Sequence, residues 1–277
     1  MNFLQVAVLA VIQGMAELLP VSSSAHVVVA EKLMGLDPSA PEMTFLLVAL
    51  HTGTTFAVLL YFWPRWKVRW NAGAARALVI ATGCTGVVGL VLKKIIEKTL
   101  LHGAPKAEIE ALFSNMPLVA GALAFAGILI LIAGLRDGGA PNGELSDKDA
   151  GWIGAVQGLC LPFRGFSRSG ATISTALLLK LPRALAEDFS FALAVILTPP
   201  VVAREGLRLI KASGGLGFLT PSLFLPGLVG MVLSFAAGLL ALRWLSSWLE
   251  KGRWIYFGIY CLVASAAMAA AIFMRIL

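Results

Sequence analysis

The sequence has few charged residues. Of its 277 residues, 22 are Lys or Arg and 15 are Asp or Glu, which together make up 13% of the chain. A typical soluble domain has about twice that fraction. Hydrophobic residues make up 58%. Because a soluble protein needs charged residues over its surface, this composition excludes an ordinary soluble enzyme and predicts a polytopic membrane protein.

Cysteine is also scarce. The three cysteines, Cys84, Cys160 and Cys261, stand alone inside apolar runs, which excludes a disulfide framework and a cysteine-based metal site. A net charge of +7 would suggest nucleic acid as the partner of a soluble protein. Here the basic residues lie in short loops between apolar runs. We therefore expect no nucleic-acid partner and attribute the charge to membrane topology and anionic bilayer lipid.

Six segments are long and apolar enough to cross a bilayer, which takes about 20 residues in a helix. They are 43–63, 74–96, 117–135, 184–210, 223–247 and 254–275. Two further apolar segments, 3–34 and 151–181, are each interrupted by a polar loop that contains proline. Each arm is too short to span alone. We predict that both segments form re-entrant helical hairpins whose loops face protein or water at mid-depth.

The two interrupted segments resemble each other. Val11–Gly14 matches Ala155–Gly158, and a proline and a serine-rich turn follow in both. The single membrane domain, 1–277, is therefore predicted to contain two repeats, 1–140 and 150–277. Each repeat has one hairpin and three spanning helices, an odd number of crossings, so the second enters from the opposite side. The expected fold is an all-α inverted-topology repeat with both broken loops near the midplane.

The distribution of basic residues predicts the orientation. The loop after the first spanning helix carries four basic residues and no acidic one, so we predict that it is cytoplasmic. These residues are Arg65, Lys67, Arg69 and Arg76. The loops on the opposite side balance basic residues with acidic ones, including Glu108 and Glu110. The first hairpin is then predicted to open toward the outer face of the membrane.

The first interrupted segment carries the clearest candidate for catalysis. Glu17 is an ionisable group at predicted membrane depth, which indicates function, and it shares a helix face with Gln13. Ser22, Ser23, Ser24 and His26 follow it. Hydroxyl groups alone would satisfy a break in the backbone, so a carboxylate and an imidazole indicate more than a structural cluster. A further histidine, His51, is either a cavity residue or an ordinary core residue.

The second interrupted segment supplies a candidate phosphate site. Its polar residues are Arg164, Ser167, Arg168, Ser169 and Thr172. Two guanidinium groups at mid-depth need an anionic partner, and the planar fork of arginine binds phosphate oxygens in pairs. Helices that begin at the two breaks would direct their N-terminal amides to the same point. Arg168 is alternatively a structural partner of Glu17, which does not exclude a role in binding.

These residues resemble two signatures of the undecaprenyl-diphosphate phosphatase family called BacA or UppP. Gln13–Glu17 and Pro20–His26 match a Glu/Gln-x-x-x-Glu stretch that runs into Pro-Val-Ser-Ser-x-x-His. Gly165–Thr172 matches all but the first residue of Pro-Gly-x-Ser-Arg-Ser-Gly-x-Thr. The resemblance covers essentially the whole chain. It implies six spanning helices and two re-entrant hairpins in inverted repeats.

The resemblance also implies an activity. The family hydrolyses a C55 polyprenyl diphosphate to the monophosphate and phosphate, which recycles the lipid carrier for peptidoglycan synthesis. Its members confer bacitracin resistance, because bacitracin sequesters the diphosphate. Their site opens to the outer face of the bacterial cytoplasmic (inner) membrane, and their activity depends on a divalent cation such as Mg²⁺ or Ca²⁺.

Two residues in the signatures limit what the resemblance implies about the activity of this chain. Gln13 stands where the family has Glu or Gln, so one potential carboxylate is missing. Arg164 stands where the family has proline. It adds a second positive charge beside Arg168, which would either strengthen diphosphate binding or shift the substrate preference.

The expected mechanism assigns a role to each residue. Ser23 is the preferred nucleophile, with Glu17 as general base, and Arg168 stabilises the charge on the phosphates. His26 is the acid or itself the nucleophile, and attack by water activated by Glu17 is a third route. The residues expected to bind substrate are Gln13, Ser22, Ser24, Arg164, Ser167, Ser169 and Thr172. Glu17 is also the candidate ligand for the metal ion.

Inverted repeats with broken helices also occur in transporters. The alternative function is therefore a flippase of polyprenyl phosphate, or a carrier of another anion. A base beside a hydroxyl favours the phosphatase, because a transporter has less use for it. Glycine-rich helix faces are compatible with a homodimer but do not require one.

Overall fold

The structure is a computed structural model that describes residues 1–38, 40–99, 115–139, 143–212, 215 and 220–277. Over these residues it has ten helices and no strand, which confirms the all-α class. In chain order the helices are α1 (Phe3–Leu18), α2 (Ser23–Leu33), α3 (Pro41–Arg69), α4 (Ala72–Thr99), α5 (Met116–Arg136), α6 (Asp147–Cys160), α7 (Arg168–Leu178), α8 (Arg183–Ala212), α9 (Pro221–Glu250) and α10 (Ile255–Phe273). The acidic loop residues Glu108 and Glu110 lie outside the described residues.

Six of these helices are long and apolar enough to cross a membrane. They are α3, α4, α5, α8, α9 and α10, and they correspond one by one to the six segments predicted from the sequence. The chain is therefore a multi-pass membrane protein, as its composition predicts.

The other four helices form two consecutive pairs that are too short to span a bilayer. Helices α1 and α2 have 16 and 11 residues, and α6 and α7 have 14 and 11. Both pairs are interrupted where the sequence predicts the breaks. Ser22, with φ 67°, and Gly165, with φ 97°, adopt left-handed backbone conformations that a right-handed helix cannot continue through.

Glycines bring the short helices very close to spanning ones. Helix α1 packs against α9, and α6 packs against α4. A Cβ atom at Gly14 would lie 2.6 Å from the carbonyl oxygen of Ser234 in α9, and one at Gly154 would overlap the backbone of Ala81 in α4. Because backbone atoms cannot move aside as a flexible side chain would, only glycine permits these approaches. The contacts hold both breaks in place.

Ion pairs connect helix ends at one face of the bundle. Arg65, near the end of α3, contacts Glu187 at 3.0 Å and Asp188 at 2.8 Å, near the start of α8. Arg183, which begins α8, contacts Asp137 at 2.7 Å, immediately after α5. The ends of α3 and α5 and the start of α8 therefore lie at the same face, as alternating membrane crossings require.

Candidate active site

A cavity of 330 Å³ lies where the two breaks meet. Helices α1, α2 and α7 and the connection between α6 and α7 form its walls, and α3, α8 and the end of α6 contribute further residues. Its polar lining residues are Gln13, Glu17, Ser22, Ser23, Ser24, Glu31, His51, Arg164, Ser167, Arg168 and Ser169. The cavity thus brings together residues about 150 positions apart in the sequence, and it includes every predicted site residue except His26 and Thr172.

Glu17 is at the centre of the hydrogen bonds in the cavity. Its Oε2 accepts a hydrogen bond from Ser23 Oγ at 2.5 Å, and its Oε1 accepts one from Arg168 Nη2 at 3.0 Å. Gln13 Nε2 donates a longer bond to Oε2 at 3.4 Å. A carboxylate in contact with a hydroxyl is the arrangement of a general base and a nucleophile. The ion pair between Glu17 and Arg168 joins the two helix pairs.

Arg168 offers a donor for a ligand. Among the described residues its Nη1 atom, which is buried, has no hydrogen-bond partner. Leaving a buried donor without a partner costs about 1–3 kcal/mol, so an oxygen atom of a bound anion would be favoured here. Arg168 is also the first residue of α7, and Ser167 caps that helix by accepting a bond from Gly170 N at 3.2 Å. The positive end of the helix dipole therefore lies at the cavity.

Serine hydroxyls connect the two breaks. Ser22 Oγ and Ser24 Oγ are 3.2 Å apart, and Ser24 Oγ accepts a hydrogen bond from Gly165 N at 3.3 Å. Ser169 Oγ donates to the carbonyl oxygen of Leu19 at 3.4 Å. These bonds hold the loop of each helix pair against the other, which gives the cavity a defined shape.

His51 is a cavity residue rather than an ordinary core histidine. Its Nδ1 atom lies 3.0 Å from Gln13 Nε2 and 4.0 Å from Glu17 Oε2. The amide nitrogen of Gln13 thus lies within hydrogen-bond distance of both His51 and Glu17. His51 therefore belongs to the surroundings of the carboxylate, although it comes from a spanning helix and not from a break.

Sequence reasoning missed Glu31. This residue is 1% exposed, lines the cavity and interacts electrostatically with Arg164. Its Oε1 atom has no hydrogen-bond partner in the part of the chain that the structure describes. A signal was present in the sequence, because Glu31 follows Ser24, Val27 and Val28 at helical spacing and these residues line the same cavity.

Two predicted site residues lie apart from the cavity. His26 Nε2 is 2.8 Å from the Tyr260 hydroxyl in α10, and its Nδ1 is 2.8 Å from the carbonyl oxygen of Ser22. Thr172 is fully buried, and its hydroxyl lies 2.6 Å from Ser190 Oγ. Helical periodicity directs both side chains away from the lining of this cavity, and their roles in catalysis and substrate binding stay predictions.

The fold and the cavity together define a multi-pass helical membrane protein with a polar site, crossed by the Glu17–Arg168 ion pair, between two interrupted helix pairs. The chain belongs to the family described as bacitracin resistance protein BacA, whose model matches residues 6–267. This confirms the family resemblance seen in the two sequence signatures.

Curated relatives match over nearly their whole length. A protein named undecaprenyl-diphosphatase 2 from Acinetobacter baylyi is 57% identical and covers 97% of this chain and 97% of its own. Proteins named undecaprenyl-diphosphatase from Desulfosudis oleivorans and Bacteroides fragilis are 35% and 30% identical, and each alignment covers 95% of this chain and 96% of the relative.

Proposed function

We propose that this protein is an undecaprenyl-diphosphatase, a membrane phosphatase that hydrolyses polyprenyl diphosphate to the monophosphate and phosphate. The observation that carries the proposal is the contact of Ser23 with Glu17 and of Glu17 with Arg168, in a chain whose relatives have that name. The monophosphate is the lipid carrier for peptidoglycan synthesis. Removal of the diphosphate, which bacitracin sequesters, explains the resistance named in the family description.

In the proposed mechanism Ser23 attacks the terminal phosphorus atom while Glu17 accepts its proton. The bond between that phosphorus and the bridging oxygen breaks, Glu17 gives the proton to the lipid monophosphate as it leaves, and a phosphoserine forms. Glu17 then accepts a proton from a water molecule that attacks the phosphorus, the bond to Ser23 Oγ breaks, and Glu17 returns the proton to the serine as phosphate is released. Arg168 and the N-terminus of α7 stabilise the negative charge throughout.

Two other routes were open from the sequence. Direct attack by water activated by Glu17 needs the same base, and the 2.5 Å contact with Ser23 supports the serine route over it. Attack or proton donation by His26 has no support from the geometry, because that ring lies against Tyr260 and outside the cavity.

The transporter alternative is not favoured. A flippase would need cationic and hydroxyl ligands for the phosphate, but it has little use for a carboxylate bonded to a serine. The curated relatives also have the phosphatase name. Polyprenyl diphosphate and bilayer lipid are thus the proposed partners.

The proposed topology is a pair of inverted repeats, 1–140 and 150–277, in which α1–α2 and α6–α7 are re-entrant hairpins. Helix α1 of the first repeat packs on α9 of the second, and α6 of the second packs on α4 of the first. This reciprocal packing of a short helix of each repeat on a spanning helix of the other is expected if a two-fold axis in the membrane plane relates the repeats.

The proposed location is the bacterial cytoplasmic (inner) membrane, with the cavity open to the outer face. The cavity is lined by Leu47 and His51 from the first half of α3, by Leu197 at the middle of α8 and by Val201 from its second half. These parts of α3 and α8 lie away from the ion-paired face that includes Arg65, which the basic residues assign to the cytoplasm.

Cysteine labelling tests this orientation in a variant without the three native cysteines. Asn71→Cys, after α3, is expected to react with a membrane-impermeant maleimide only in opened cells. Pro38→Cys, between α2 and α3, is expected to react in intact spheroplasts. Both positions are exposed. The opposite labelling pattern would show that the orientation is reversed.

We propose that any divalent cation would bind together with the diphosphate, with Glu17 as its ligand from the protein. No group of three or more His, Cys, Asp or Glu side chains that could hold a metal is found over the described residues. The residues do not form a protein-only metal site, and no step above depends on one. The rate of phosphate release is expected to fall when a chelator is added and to recover when Mg²⁺ or Ca²⁺ is added in excess. Full activity in the presence of the chelator would show that the reaction needs no divalent cation.

A homodimer stays a prediction. A Cβ atom at Gly83 or Gly86 of α4 would meet no atom of the described chain within 4 Å, so this exposed helix face can accept a close helix contact. Light scattering of the purified protein measures the oligomeric state, and a monomer mass would exclude the dimer under those conditions.

Phosphate release by the purified protein tests the proposed function. Wild-type protein is expected to convert C55 diphosphate to the monophosphate, and acid-quenched protein is expected to carry phosphate on Ser23. Ser23→Ala is expected to lower kcat by a factor of about 100 or more, because it removes the nucleophile. Ser247→Ala, outside the cavity, is the control and should keep normal activity. Absence of phosphate release by wild-type protein would contradict the proposed function.

A further inference from the structure

The cavity is lined by two more charged side chains of opposite sign besides Glu17 and Arg168. Glu31, near the end of α2, interacts electrostatically with Arg164 in the connection between α6 and α7, and both residues line the cavity. Gly165, the residue after Arg164, donates a hydrogen bond to Ser24 Oγ. Ser24 precedes Glu31 by two helical turns, about 10 Å along the axis of α2. The backbone next to Arg164 therefore lies near the first turn of α2, whereas Glu31 lies near the last turn of that helix.

The two carboxylates, Glu17 and Glu31, oppose the positive charge of Arg164 and Arg168 in a site proposed to bind an anion. Glu17 has a role as the base, whereas the mechanism above gives Glu31 none. Glu31 is 1% exposed, and its Oε1 atom has no hydrogen-bond partner within the described part of the chain. A buried carboxylate oxygen without a partner is unfavourable. Glu31 also weakens the attraction of Arg164 for phosphate, so its effect falls on ligand binding.

We propose that Glu31 is a specificity-determining residue that competes with phosphate for Arg164; this inference rests on the proposed phosphatase function. For a single phosphate held by Arg168, the negative charge of Glu31 offsets the attraction of Arg164. A diphosphate held by Arg168 presents its second phosphate to Arg164 at a high effective concentration, so this attraction outweighs the opposition of the carboxylate. After cleavage the second contact is lost, and the affinity for the phosphate product falls.

Direct binding to purified protein in detergent tests the proposal without hydrolysis. The probes are inorganic phosphate and methylenediphosphonate, which has two phosphonate groups and is not cleaved, and calorimetry measures both Kd values. Wild-type protein is expected to prefer the diphosphonate. Glu31→Gln keeps the shape of the side chain but removes its charge. It is expected to lower the Kd of inorganic phosphate about ten-fold and to narrow the preference for the diphosphonate.

A double variant decides whether Arg164 causes this gain. Glu31→Gln combined with Arg164→Gln is expected to bind inorganic phosphate about as wild-type protein does, because the cavity is again neutral. Glu42→Gln removes the same charge at an exposed position outside the cavity and should change neither Kd. Unchanged or weaker phosphate binding in Glu31→Gln, or a gain that persists in the double variant, would overturn the proposal.

The outcomes separate this proposal from the phosphatase proposal. Hydrolysis of C55 diphosphate together with an unchanged phosphate Kd in Glu31→Gln would overturn only the role of Glu31. The expected binding changes without hydrolysis would overturn only the phosphatase. If Glu31→Gln does not fold, Glu31→Asp draws the carboxylate back by one methylene and should lower the phosphate Kd by a smaller factor. An unchanged Kd in that variant would also count against the proposal.

Discussion

Replacement of Glu17 by glutamine is expected to lower kcat for phosphate release by a factor of about 10²–10⁴. The amide has nearly the same shape as the carboxylate, and its oxygen can still accept the bond from Arg168. It cannot take the proton of Ser23, whose hydroxyl lies 2.5 Å from Oε2. The loss should therefore fall on the chemical step, and steady-state kinetics with C55 diphosphate measure it.

The effect on KM separates this role from a structural one. Loss of the negative charge leaves Arg168 with more attraction for phosphate, so KM is expected to stay the same or fall in Glu17→Gln. Glu42→Gln, at an exposed position, is the control for removal of a carboxylate. A kcat within a few-fold of the wild-type value in Glu17→Gln would exclude Glu17 as the base, for Ser23 and for water alike.

Replacement of Arg168 by alanine is expected to lower kcat/KM by a factor of about 10³ or more, because charge on the transferred phosphoryl group would lose its main cationic partner. Arg168→Lys should recover only part of the activity, since an ammonium group lacks the planar fork that contacts Glu17 and phosphate together. Arg243→Ala changes an exposed arginine of α9 and should keep normal kcat/KM.

Stability must be measured together with activity in this series. Arg168→Ala leaves Glu17 buried without its ionic partner, and breaking a buried pair in this way costs about 3–5 kcal/mol. The double variant Glu17→Gln/Arg168→Gln is expected to regain much of the thermal stability and none of the activity. Recovery of activity in the double variant would show that neither Glu17 nor Arg168 takes part in the chemical step.

The composition and the apolar runs of the sequence were sufficient to predict the six long helices and the two interrupted pairs. Bilayer thickness sets the length of a spanning helix, and proline with polar residues marks an interruption within about the same stretch of chain. The charged residues Glu17 and Arg168 could also be identified from the sequence, because an ionisable side chain at membrane depth is energetically costly whichever way it is directed.

Which face of a short helix lines the cavity was decided by the tertiary structure. His26 and Glu31 both lie on α2, but only Glu31 lines the cavity, because Tyr260 of α10 contacts the face with His26. Similarly, Thr172 bonds to Ser190 of α8 instead of lining the cavity. These partners are remote in the sequence, and no local pattern states which of them a given side chain will meet.

The sequence by itself thus determined a multi-pass helical membrane protein, two breaks and the charged residues nearest to them. Only the tertiary structure decided that Ser23 and Arg168 contact the two oxygens of one carboxylate, that His51 lies beside it, and that Glu31 and Arg164 line the same cavity. Hydropathy and helical period act over a few turns of one helix. The cavity depends on how six helices and the loops at the two breaks pack, which is a property of contacts between distant segments.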